Sequence, residues 1–185
     1  MDLEDLVDRA KQGLVRPSEI TEVAAALTSL PDDSEDGYSL LYVLGRSEAT
    51  QYEELVAGFL RSGDPNLARL ALQILCMFWD LTESYVDDLR AFLDGVEWDD
   101  DGWVQQIAVS AAGQYLRTHT DTAMLARLLE LAEPDNDVLE RRWALEALAV
   151  ALGDPLAETL TAGGNDRAGW TARVLSRAED RLAAE

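Results

Sequence analysis

Apolar residues return every three or four positions along almost the whole chain, the period of helices that turn one face inward. Leu3, Leu6, Val7 and Ala10 place a first helix at 2–12, ended by Gly13. Pro17 and Ser18 open a second helix, which carries Ile20, Val23, Ala24 and Leu27 inward. The acidic, turn-rich stretch PDDSEDG (31–37) leads to a third helix at 37–46, with Leu40, Leu41, Val43 and Leu44 apolar. Further helices are expected at 50–62, 65–79, 83–94, 102–117, 121–132, 136–152 and 166–183. The one at 65–79 is apolar nearly all round, as a helix at the centre of a core should be. Alternating β-branched runs are missing, so the pattern predicts an all-α chain of about 9–10 helices and no sheet.

Three of these segments repeat. LARLALQIL (67–75), VQQIAVSAA (104–112) and ERRWALEAL (140–148) align on Ala71, Ala108 and Ala144, which stand 37 and 36 residues apart. Seven residues before each alanine is an acid, Asp64, Asp101 or Asp137, and the first two are read as N-caps of their helices. A more amphipathic helix precedes each copy: YEELVAGFL, YVDDLRAFL and MLARLLELA. Such a two-helix period implies antiparallel hairpins stacked side by side, each covering the apolar face of the next. The chain then reads as one domain over 1–185. Its clearest repeats lie at 50–152, and the helices at 2–46 and 166–183 act as caps.

The segments DPNLARLAL (64–72), DGWVQQIAV (101–109) and DVLERRWAL (137–145) resemble the second helix of a HEAT-like repeat, with a capping acid followed by A-[LV] after a short apolar motif. The resemblance covers about residues 50–152. It departs at Glu140, where the other copies carry an aliphatic residue. It implies an α-α superhelix whose extended concave surface holds other macromolecules.

Charge changes the picture more than composition does. Acids outnumber basic residues 36 to 15, a net charge of −21. Such a field repels phosphate backbones, so nucleic acid is not an expected partner. It keeps a protein dispersed, and it also steers in a cationic partner. No apolar run approaches the ~20 residues of a membrane span. The acidic start MDLEDLVDRAKQG has no apolar signal core, and Cys76 has no second cysteine to pair with. A cytoplasmic chain without membrane contact is therefore expected.

Signs of catalysis are few. His119, in RTHTD, is the one histidine, and Cys76 within ILCMF reads as packing. Metal-binding, nucleotide-binding and nucleophile motifs are absent from the sequence. The expectation is no catalytic residue, no cofactor and no metal. The run Glu97-Trp98-Asp99-Asp100-Asp101-Gly102 resembles the front of a calcium loop, but Ala108 stands where the bidentate glutamate belongs.

That same run is the principal candidate for binding. Between Glu83 and Asp101 there are eight acids against one arginine, Arg90. Trp98 and Trp103 flank the aspartates, and tryptophan is enriched where interfaces are tightest. Each of the two is read either as part of a contact surface or as a lid folded onto a neighbouring hairpin. Trp79 and Trp143, on apolar helix faces, are read as core, and Trp170 as packing for the last hairpin. If the repeat register holds, Asp135, Asp137 and Glu140 reach the same edge as residues 97–101, and Asp64 extends it into a row that Arg141 and Arg142 temper. The functional expectation is a non-catalytic module that captures a basic protein through this acidic edge. In type, without a shared motif, such a chain resembles the immunity proteins of bacterial polymorphic toxin systems. A HEAT-like scaffold is the alternative, ahead of a lyase-like or nucleic-acid-processing enzyme.

Overall fold

The structure, a computed structural model, describes residues 2–31, 34, 36–154 and 167–184. It is all-α, with no strand among the described residues. The helices are α1 (Leu3–Lys11), α2 (Pro17–Thr28), α3 (Gly37–Arg46), α4 (Glu53–Gly58), α5 (Pro65–Gln73), α6 (Val86–Leu93), α7 (Trp103–Leu116), α8 (Thr122–Leu131), α9 (Val138–Ala151) and α10 (Arg167–Ala184). Each lies where the apolar period predicts, with three changes of winding, one being the 3-10 turn Thr82–Tyr85 that opens the 83–94 segment ahead of α6. The 50–62 segment is α4 flanked by single 3-10 turns, Thr50–Tyr52 and Phe59–Arg61. The 65–79 segment begins as α5 and ends in a π turn, Ile74–Phe78. Asp32, Asp33 and Glu35 of the first acidic loop, and the AGGND break at 162–166, lie outside the described residues.

The residues gather into two compact units, Met1–Asp88 with Glu97–Val104, and Leu89–Val96 with Gln105–Glu185. Helices α6 and α7 each begin in the first unit and end in the second.

In the first unit α3 is central and packs on α1, α2 and α5. Leu40, Leu41, Val43 and Leu44 of α3 are buried with Leu6, Val23 and Leu27 on one side and Leu70, Leu72, Ile74 and Leu75 on the other. Helices α3 and α5 run side by side in the same sense. Gly37 lies against Leu67 at one end, and at the other Gly45 lies against Ile74. The Trp79 indole N–H also donates to the Gly45 carbonyl at 3.0 Å. A Cβ on Gly45 would stand 2.3 Å from Ile74 Cγ1, so the approach requires glycine. Trp79 is buried, as the sequence predicts. Glu19 ties α1 to α2: its carboxylate accepts from Arg9 at 2.9 and 3.0 Å, from the Arg16 guanidinium at 2.7 Å and from the Arg16 backbone N–H at 2.9 Å. Those bonds, the Arg16 and Arg9 guanidinium groups first, hold its carboxyl well below the usual carboxylate range.

In the second unit α8 packs on α9, and α10 packs on both. Gly113 of α7 brings backbone against backbone, since a Cβ there would stand 2.6 Å from the Ala147 carbonyl oxygen. Helix α10 runs in the same sense as α9. Arg177 pairs with Asp154 at 2.8 Å, and Arg181 donates to the Ala151 carbonyl at 2.9 Å, both at the C-terminal end of α9. The aligned alanines Ala71, Ala108 and Ala144 are all fully buried. Trp143, read from the sequence as core, is only half-buried. The buried stripe of α9 runs through Ala144, Leu145, Leu148 and Ala151, and Trp143 stands at its margin.

Candidate protein-binding surface

The turn before α7, in the first unit, holds most of the residues singled out from the sequence. Its geometry is set by Asp99. This carboxylate is 9% exposed and accepts the first two backbone N–H groups of α7, from Trp103 at 2.9 Å and Val104 at 2.8 Å. Gly102 allows this by adopting φ +67°, which turns the chain back so that its own N–H reaches the Asp99 carbonyl at 3.0 Å. The cap is therefore Asp99, which corrects the Asp101 expected from the repeat alignment. The other two aligned acids cap as predicted: Asp64 accepts from Asn66 and Leu67, and Asp137 accepts from Leu139. With both oxygens committed to backbone N–H groups, Asp99 is an internal element of the turn.

What remains outward is clear-cut. Glu97, Asp100 and Asp101 are exposed, and none of the three has an ion-pair partner among the described residues. Trp98 is half-buried. Trp103 is 46% exposed, so it is not a lid, and the Arg69 guanidinium lies over its ring at 5.4 Å from the centroid. Arg69 also reaches the Tyr38 hydroxyl at 3.4 Å, and Tyr38 is itself exposed. Tyr38, Arg69 and Trp103, from the first two turns of α3, α5 and α7, thus form a continuous row. The sequence reading missed Tyr38 and Arg69. A signal was available: all three follow closely on acid-containing helix starts, at Asp36, Asp64 and Asp101.

The acids assigned to the second unit sit in a different setting. Asp135 and Asp137 are exposed and Glu140 is half-buried. Beside them an open groove of about 660 Å³ runs between α9 and α10, lined by Val138, Arg141, Arg142, Leu145, Arg167 and Leu175 among others. Three arginines line it, and Val138 and Leu139 are exposed. Arg142 pairs with Glu146 at 2.8 Å, and Arg141 donates to the Ala132 carbonyl at 3.2 Å. This surface is of mixed charge, whereas the turn at 97–101 is acidic without an offsetting cation of its own. Arg90, the one basic residue near that turn in sequence, is bound at 2.7 Å to Asp121 within the second unit.

The residues weighed for chemistry are held structurally. The His119 ring stacks on Tyr115 with centroids 4.3 Å apart, and its carbonyl accepts from Arg181. Cys76 is buried, which pushes its thiol up to about 11 and favours the protonated form near neutral pH. Among the described residues no group of three or more His, Cys, Asp or Glu is placed to hold a metal ion. No described helix is long and apolar enough to cross a membrane. No protein-family model, curated protein or solved structure matches this chain.

Proposed function

We propose that the chain is a non-catalytic protein-binding module that captures a basic protein through the acidic turn at 97–103. One observation carries the reading: Glu97, Asp100 and Asp101 stand exposed, with no ion-pair partner among the described residues, beside a half-exposed tryptophan. Unpaired surface carboxylates lose little hydration until a cation arrives, and a net charge of −21 extends their attraction beyond contact distance. In its sharpest form the partner is a basic toxin whose active surface the module masks. A tight inhibitor of that kind associates quickly, and its on-rate falls as salt rises. A HEAT-like scaffold would use the same acids with weaker, more varied partners.

The test is retention of basic proteins from lysate by the immobilised chain at low and high salt, with Glu97, Asp100 and Asp101 changed together to Lys. Asp99 is left intact so that α7 keeps its cap. The proposal expects one dominant basic partner, retained at low salt, weakened at high salt and lost on charge reversal. Retention that ignores the reversal would remove the turn as the binding surface.

A further inference from the structure

The row Tyr38–Arg69–Trp103 gives the proposed surface a chemical preference that charge alone does not. Resting on the reading above, we infer that this row is the contact centre of the surface and that it selects an arginine-bearing segment of the partner over a lysine-bearing one.

Three observations lead there. The row combines Tyr, Arg and Trp, the residue types that dominate binding energy at protein interfaces, and it is solvent-accessible in the isolated chain. It is also preorganised. Arg69 bonds to the Tyr38 hydroxyl and lies on the Trp103 ring, so the large side chains are already held before a partner arrives. Finally, its unit is anionic: Asp36, Asp64, Glu97, Asp100 and Asp101 are exposed there, and the unit carries 22 acids against six basic residues, Arg69 among them. A cationic segment is therefore complementary even with Arg69 present.

The preference follows from shape. The exposed part of an indole accepts a planar, weakly hydrated guanidinium by stacking, whereas an ammonium is compact and strongly hydrated. The carboxylates of Asp100 and Asp101, just before Trp103 in sequence, attract either cation by charge, so the discrimination between the two is assigned to the indole.

Hexa-arginine and hexa-lysine peptides, equal in charge, separate these cases. Each is titrated into the full chain at low salt, with binding followed by calorimetry and by tryptophan emission. The expected result is roughly three-fold or greater preference for hexa-arginine, with a change in emission, and loss of both the preference and the emission change in Trp103→Leu. Trp103→Phe, which keeps an aromatic face, should retain part of the preference, and a circular dichroism spectrum of Trp103→Leu that matches the unaltered chain shows that the leucine variant has not simply lost its fold. Equal affinity for the two peptides on the unaltered chain, or a preference that survives Trp103→Leu, overturns the inference. The parent reading fails separately: if changing Glu97, Asp100 and Asp101 to Lys leaves the binding of both peptides unchanged, the acids are not the surface, whatever Trp103 does.

Discussion

Asp99, Asp100 and Asp101 share a charge and a stretch of chain but not a role. Asp99 turns inward to close the start of α7, while its two neighbours face water. Replacing Asp99 by Ala removes two bonds to otherwise orphaned N–H groups and should cost about 1–2 kcal/mol. Asp101→Ala should stay within about 0.5 kcal/mol of the original chain, since it caps nothing. Urea unfolding of the two variants separates them, and equal losses would contradict the cap assignment. Tyr85 gives a pH-dependent counterpart. Burial, and then its 2.8 Å hydrogen bond to Glu53, push its hydroxyl up to about 12. The neutral phenol is thus favoured in the folded state. Its contribution is complete below the ordinary tyrosine value near 10 and is lost as pH rises from there through 12. Tyr85→Phe should remove that part of the alkaline loss, seen as a flatter dependence of thermal midpoint on pH between 10 and 12. An unchanged slope would place the alkaline sensitivity elsewhere.

At the scale of elements, the apolar period located the helices because burial of one face is what makes short helices persist. Its limits are equally physical. Asp99 and Asp101 are indistinguishable as caps in the string DDDG, and only the left-handed Gly102 decides between them. Trp143 sits one residue from a fully buried alanine, too fine a difference for a pattern of apolar letters to resolve. The Tyr38–Arg69–Trp103 row joins residues 31 and 34 apart, off the 36–37 residue register on which the repeat was read, so the half of the site not made of acids stayed hidden. Close approach between helices was not legible either, and it makes a sharp prediction. Gly113→Ala would press a methyl group into the Ala147 backbone, which cannot swing aside as a side chain can, and should cost about 1–3 kcal/mol. Gly58→Ala, with nothing within 4 Å and a helical φ of −55°, should instead stabilise α4 by up to about 1 kcal/mol. Thermal unfolding of both variants checks the contrast, and a neutral Gly113→Ala would refute the tight contact.

Across the whole molecule, charge is the dominant long-range term. Ion pairs such as Arg9–Glu19, Arg90–Asp121 and Arg177–Asp154 are weakened by salt, but 36 acids against 15 basic residues make repulsion the larger sum. Raising sodium chloride from about 20 to 500 mM, which shortens the Debye length several-fold, should therefore raise the thermal midpoint. A fall would mean that the ion pairs outweigh the repulsion. The same excess of acid underlies the proposed function, because the turn before α7 carries no basic residue of its own, whereas arginines dilute the acids along α9. Carboxylate footprinting of the low-salt complex and of the free chain, with carbodiimide and glycine ethyl ester, tests this most directly, since a carboxylate covered by its partner is spared whichever cation covers it, and peptide mass spectrometry reads the labelled residues. The account predicts that the complex protects Glu97, Asp100 and Asp101 from the labelling they show in the free chain. Protection gathered instead at Asp135, Asp137 and Glu140, or spread evenly over the carboxylates, would contradict it.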